Sequence, residues 1–316
     1  MKINNLFDDD IEIKESLNRD ILSKYLYLKD IELEDFIFLI TNKFNEILEY
    51  AELSNGDRAC QKTSLLFNPH RLNTRTKESK LSLFQALKTE SFISGLARAL
   101  IFKKGKYNEL LYQVLQLGIN GIQYVNEFPP HIARNIYKKY NLNANSKILD
   151  PCAGWGGRMI GASIISNNYI CFEPCTETYY GLLKLYDFIK SMNCNFVANI
   201  YNTPFEDNYG GENSYDFALT SPPYYDTEIY SDEETNSFNR YTTFNNWCEY
   251  FYLPLIQKTM SALKNDGKFM LNIGSRKYPL NKILMANFST IYSIEKCGNY
   301  LSGSLGREGE GEMFYL

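Results

Sequence analysis

The sequence predicts an α/β protein: a doubly wound, mostly parallel sheet of seven strands, Rossmann-like, preceded by a helical N-terminal domain. Three observations carry that expectation. From Lys147 onward, short apolar runs alternate with stretches of helical periodicity. Two of the apolar runs break abruptly into loops, Ile148-Leu149-Asp150-Pro151-Cys152-Ala153-Gly154-Trp155-Gly156-Gly157-Arg158 and Asp216-Phe217-Ala218-Leu219-Thr220-Ser221-Pro222-Pro223-Tyr224. Upstream, by contrast, apolar residues recur at three- and four-residue spacing over 11–28 and 33–51, the pattern of amphipathic helices.

Taken in order, residues 54–80 turn polar and loop-like around Phe67-Asn68-Pro69-His70-Arg71. Helices are predicted over 81–102 and 107–117. Phe128-Pro129-Pro130 then opens a helix over 131–140, because proline suits a first turn. The domain boundary falls between Asn120 and Phe128, giving a helical domain 1–127 and a sheet domain 128–316. In the second domain strands are predicted over 146–150, 169–173, 196–201, 216–220 and 268–273, with two closing strands over 291–297 and 313–316. Helices over 157–165, 176–192, 244–264 and 280–288 fill the intervals, the rhythm of a parallel sheet covered on both faces.

Composition fits a globular intracellular enzyme. Of the 316 residues, 44% are hydrophobic and 15% aromatic, which excludes a disordered chain. No apolar run approaches the roughly 18–20 residues a membrane span needs. The start, Met1-Lys2-Ile3, leads into Asp8-Asp9-Asp10 rather than a signal peptide. Seven scattered cysteines, an odd number, argue for reduced thiols and a cytoplasmic setting. With two histidines and no paired Cys-x-x-Cys, no metal site is expected. The triphosphate-binding Gly-x-x-x-x-Gly-Lys-Ser/Thr loop is absent.

Charge is uneven under the net −4. Residues 1–56 hold 6 Lys/Arg against 13 Asp/Glu, and residues 57–106 hold 11 against 3. A basic segment inside an acidic protein can neutralise phosphates, so Arg71, Arg75 and Lys77 are candidate nucleic-acid contacts. The competing reading is a solvated helical face, or a basic segment paired with the acidic one.

The two loops suggest their own chemistry. Glycines after a strand let backbone approach a ligand closely. Ser221-Pro222-Pro223-Tyr224 does something different: its prolines stiffen the loop and remove N–H donors, leaving carbonyl acceptors beside a small hydroxyl and an aromatic ring. That set suits a flat ring bearing an exocyclic amine. Together the loops resemble those of S-adenosylmethionine-dependent amino-methyltransferases, which methylate N4 of cytosine or N6 of adenine. The cofactor loop of that family reads roughly Asp-Pro-x-x-Gly-x-Gly, and the catalytic loop reads Asp, Asn or Ser followed by Pro-Pro-Tyr. The resemblance covers residues 128–316.

The resemblance implies that Asp150, Pro151, Cys152, Ala153, Gly154 and Gly156 pass under the methionine part of S-adenosylmethionine. Cys152, though preceded by proline, is read as packing rather than as a nucleophile. Glu173, ending the second strand, would accept from the ribose hydroxyls. Phe205 and Asp207, the latter favoured over Glu206, would hold the adenine, with Asn202 a further polar candidate. Ser221 Oγ and the Pro222 carbonyl would accept from the target amine, and Tyr224 would stack on a flipped base. Serine at the first loop position tilts the target toward cytosine N4.

Residues 225–241, beginning with Tyr225, read as a lid that contributes to substrate contact. His131 and Arg134 stand where related enzymes cover the cofactor's carboxylate. One feature departs from the family. Only 64 positions run from Gly157 to Ser221, so no target-recognition region fits between the loops, and that role falls to residues 1–127. The partner is expected to be DNA rather than RNA. Methylation of RNA or of a protein amide, and a catalytically silent binding subunit, are the alternatives.

Overall fold

The computed structural model describes residues 25–56, 58–103, 111–112, 114–115, 118–207, 211–274, 276–298 and 312–316. Most of the predicted helices 11–28 and 107–117 lies outside the described residues. The chain forms two compact units, one from residues 1–42 and 71–126, the other from 43–70 and 127–316. They do not follow a single boundary near residue 127, because residues 43–70 pack with the sheet.

The first unit is mainly helical among its described residues, with helices Leu33–Thr41, Leu83–Leu87 and Glu90–Lys103 and a two-residue strand, Arg75–Thr76. Ser82 and Gln85 cap the second of these helices reciprocally, satisfying two backbone donors at its start. The predicted helix 33–51 is in fact two. Asn42 stands at φ 50°, a left-handed conformation that asparagine tolerates, and it ends the first helix by donating to the Phe38 carbonyl.

The second unit carries the sheet: β1 Lys147–Asp150, β2 Asn168–Phe172, β3 Val197–Tyr201, β4 Tyr215–Thr220, β5 Leu263–Ile273, β6 Glu295–Gly298 and β7 Glu312–Tyr315. Their order is β3-β2-β1-β4-β5-β7-β6. The first five run parallel, and β7 lies antiparallel to both β5 and β6. Ile148 packs into one apolar layer with Tyr137, Tyr169, Leu182 and Phe217. Its neighbour Leu149 packs into the other with Phe172, Trp247, Phe269 and Leu271. For β1 and β4, burial on both faces is what makes the strands near-continuous apolar runs in the sequence.

The predicted helix 244–264 ends earlier, at Ala262, and contains a π turn over Cys248–Tyr252. Pro254 follows that turn and lacks the N–H an α-helical ladder needs there. β5 begins at Leu263, but its register against β4 jumps between Tyr215↔Leu263 and Phe217↔Lys268, so the continuous pairing covers the predicted 268–273. The strand order reverses at β1 and β4, and both loops leave the sheet there, where open α/β sheets bind ligands.

Candidate active site

Asp150 ends β1 with its carboxylate fully buried. One oxygen accepts from Arg158 Nε at 2.7 Å and Tyr169 Oη at 2.6 Å. The other accepts from Thr220 Oγ1 at 3.1 Å and the Cys152 N–H at 3.3 Å. Asp150 is therefore the internal brace of the loop, its lone pairs taken by the protein. Arg158 extends the brace by donating to the Cys152 carbonyl and lying over the Phe128 ring at 5.5 Å. Gly154 takes φ +55°, and the direction a Cβ would occupy is open for 4 Å. The loop thus turns backbone, not side chain, toward that space.

Glu173 comes up beside the loop, its carboxylate accepting from the Gly154 N–H at 2.9 Å and the Cys175 N–H at 3.0 Å. Burial pushes this carboxyl up to about 7, although both backbone donors pull it down. Asn202 donates to the Glu173 and Pro174 carbonyls at 3.0 and 3.2 Å, which fixes the backbone of that corner. Phe205 is buried edge-on to Phe172, with ring centroids 5.0 Å apart.

Of the next two residues, the acid in the protein interior is Glu206 rather than the favoured Asp207. The Glu206 side chain is 4% exposed and that of Asp207 is 41% exposed. Burial pushes Glu206 up to about 7, and its charge is felt at the Cys152 thiol. Arg240 holds both acids, at 3.3 Å from Glu206 and 2.9 Å from Asp207.

Across the switch point, Thr220 ties the second loop to the first, accepting from the Cys152 N–H at 3.1 Å while donating to Asp150. Ser221 follows, its Oγ 3.3 Å from Tyr224 Oη. Asn272 on β5 donates to both, at 2.9 Å and 3.1 Å. Burial pushes the Tyr224 hydroxyl up to about 12, so it stays protonated. Cys152, Ala153, Gly154, Gly156, Glu173 and Ser221–Tyr224 are thus gathered at one end of the sheet.

Other expectations are corrected. Tyr225 does not face a ligand: it is buried among Phe238, Phe244, Trp247 and Tyr278, and donates to the Thr242 carbonyl at 2.6 Å. Its φ of 58° turns it inward, an uncommon conformation for so bulky a residue. Arg71 is not a surface cation, being 2% exposed, bonded to the Val125 carbonyl at 3.2 Å and stacked over Tyr124 at 5.0 Å. Arg75 is half-buried and Lys77 exposed. Arg134 is taken up by the Leu53 and Gly56 carbonyls, so its helix braces residues 43–56.

The segment 225–241 is seated over the loops. Glu233 accepts from the Thr176 N–H at 3.0 Å, Thr235 donates to the Pro174 carbonyl at 3.2 Å, and Tyr230 meets Trp155 edge-on at 5.7 Å. Sequence reasoning passed over Thr220, Asn272 and Asn68. Asn68, fully buried, donates to the Trp155 carbonyl at 3.1 Å. Thr220 precedes the Ser221 loop in the chain but carries no motif role of its own, and only the fold brings Asn272 and Asn68 to the loops.

No family model and no curated protein matches the chain. Solved structures do resemble it. A protein from Streptococcus mutans in complex with SAH is 13% identical, with 60% of this chain and 98% of that chain covered at a TM-score of 0.41. A tRNA (m1A58) methyltransferase from Aquifex aeolicus is 15% identical, covering 60% and 68% at 0.39. An rRNA methylase from Streptococcus thermophilus is 13% identical, covering 60% and 95% at 0.38. Likeness at this level assigns neither substrate nor residue roles, so function is read from the site itself.

Proposed function

We propose that the protein transfers a methyl group from S-adenosylmethionine to an exocyclic amine of a DNA base, cytosine N4 ahead of adenine N6. The observation that carries this reading is the junction of the two loops. Asp150 and Thr220 join the glycine loop to Ser221-Pro222-Pro223-Tyr224 at the strand-order reversal. The cofactor fits what lies there: open space at Gly154, a buried carboxylate at Glu173 able to accept from a diol, and the Phe172–Phe205 aromatic corner. When bound, it supplies an electrophilic methyl group.

The protein's own residues do the rest. An amine conjugated with a ring is a weak nucleophile, because its lone pair is delocalised. Ser221 Oγ and the Pro222 carbonyl accept its two protons, which lets the nitrogen pyramidalise and directs its lone pair at the methyl group. Tyr224 stacks on the base, a contact worth about 1–3 kcal/mol. Holding nucleophile and donor in line supplies most of the acceleration. Arg276 and Lys277 are exposed on the loop after β5, and Lys277 reaches Asp226, two residues beyond Tyr224, at 3.1 Å.

Incubation with methyl-labelled cofactor and separate DNA, RNA and protein pools, followed by nucleoside mass spectrometry, tests the proposal. Label on N4-methylcytosine or N6-methyladenine in DNA is the expected result. Label confined to RNA, to protein or to a ring carbon overturns it. Ser221→Ala should lower transfer by about 10²-fold with cofactor affinity intact.

A further inference from the structure

Asn272, next to the last residue of β5, is 1% exposed. Its Nδ2 donates to Ser221 Oγ and Tyr224 Oη, closing a ring of three polar groups with the 3.3 Å contact between the hydroxyls. Its Oδ1 is buried and has no hydrogen-bond partner among the described residues. Buried amide oxygens rarely lack a donor, and one that does so beside a binding loop calls for an explanation. We propose that Asn272 is a specificity-determining residue, its Nδ2 fixing the two hydroxyls while its Oδ1 shares with Ser221 Oγ, in a three-centre hydrogen bond, one of the two N–H groups of the base amine. The site would then select amino-bearing over keto-bearing rings. This rests on the reading of the Ser221–Tyr224 loop as the base-amine site.

Counting protons separates the roles. Both Nδ2 hydrogens are committed, so the hydroxyls share one further hydrogen bond that can run either way. When Tyr224 donates to Ser221, both Ser221 lone pairs are filled and the Ser221 proton is offered to the ligand. When Ser221 donates to Tyr224, one Ser221 lone pair is offered instead. The hydroxyl pair therefore adapts to an amine or to a carbonyl and cannot choose between them. Asn272 Oδ1 can choose, since it accepts in both arrangements. An amino group satisfies it, whereas a keto oxygen leaves it buried and facing another acceptor. Sites that leave a buried polar group unpaired reject such analogues strongly. Tyr224 closes against β5 because position 274 is glycine, where a Cβ would stand 2.8 Å from the ring.

The test is binding by fluorescence anisotropy with the full chain and saturating S-adenosylhomocysteine, comparing oligo(dC) with oligo(dU) and oligo(dA) with oligo(dI). The wild type should favour the amino member of each pair by about tenfold or more. Asn272→Leu, similar in size and apolar, should bring the ratio to within about threefold. Asn272→Asp keeps acceptor oxygens and should retain the preference, so it tests the proposal even if the leucine variant does not fold. Tyr224→Phe should retain it too, with weaker binding overall. A wild type that binds amino and keto oligomers alike refutes the base-amine reading and this inference with it. A wild type that discriminates, with Asn272→Leu discriminating equally or Asn272→Asp losing the preference, overturns the role of Asn272 and leaves the loop's reading intact.

Discussion

Asp150 offers the sharpest test of how this site is built, because its position in the motif and its contacts point to different roles. Its carboxylate is fully buried and receives Arg158, Tyr169, Thr220 and the Cys152 N–H. Asp150→Ala leaves the Arg158 guanidinium, its side chain 5% exposed, without its anion. Removing one partner of a buried ion pair costs about 3–5 kcal/mol, and a domain of this size loses about 2–4 °C in Tm per kcal/mol. The melting temperature should therefore fall by about 6–20 °C in differential scanning calorimetry. The double variant Asp150→Ala with Arg158→Met removes the stranded charge and should recover at least about 1 kcal/mol of the loss. A loss below about 1 kcal/mol in the single variant, or strict additivity in the double, would refute the brace.

Glu173 carries a pH prediction. Its carboxyl is raised to about 7 by burial, and the ionised form is the better acceptor for a ribose diol. Cofactor affinity by titration calorimetry should then rise about tenfold between pH 6 and pH 8, and Glu173→Gln should flatten that rise. In the ligand-free protein the sign is opposite. A raised carboxyl stabilises the fold below its usual range, and that contribution is lost as pH climbs through 7, which urea titrations at pH 5 and 8 will read. Gly154→Ala must place a side chain at φ +55°, costing about 1–2 kcal/mol and lowering cofactor affinity in the same calorimetric assay. Arg71→Met should destabilise the first unit by about 1–3 kcal/mol without altering the salt slope of nucleic-acid binding, since Arg71 is interior. Lys77→Glu, at an exposed position, should flatten that slope by about one, and an unchanged slope would return this segment to a solvated face.

The central strands were legible because each announces itself twice, by an apolar run and by the loop that ends it, whereas the edge strand Glu295–Gly298 has no apolar run. Ile148–Asp150 and Phe217–Thr220 are buried on both faces, so their sequences carry no alternation to confuse with helix. The helix break at Asn42 was not legible, since one left-handed residue leaves the apolar spacing on either side intact. Arg71 and Tyr225 were misplaced for a shared reason. Each is amphipathic, and a guanidinium over Tyr124 or a phenol bonded to Thr242 reads the same in sequence as one facing a ligand. Residues 43–70 were placed in the first domain by their helical spacing, their polar loop and chain order. Their buried contacts, Tyr50 Oη to Ser163 Oγ at 3.0 Å and Asn68 to Trp155, place them with the sheet.

The same contacts bear on how a short chain could couple two ligands. The glycine loop and the Ser221–Tyr224 loop leave neighbouring strands and are bonded to each other directly. Thr220 immediately precedes Ser221 and is bonded to Asp150 and to the Cys152 N–H, so a shift of either loop strains the other. Thr220→Val removes the hydroxyl while keeping shape, leaving the Cys152 N–H with only its 3.3 Å bond to Asp150 and one Asp150 lone pair unfilled. The expected stability cost is about 1–3 kcal/mol. A coupled pair of loops predicts more than that: cofactor and nucleic acid should each tighten the other's binding in the wild type, and the factor should shrink in Thr220→Val. By linkage the factor must be the same whichever ligand is titrated second. Calorimetry in both orders measures it, and a wild-type factor of one would mean that the Thr220 bridge holds the loops without transmitting anything between them.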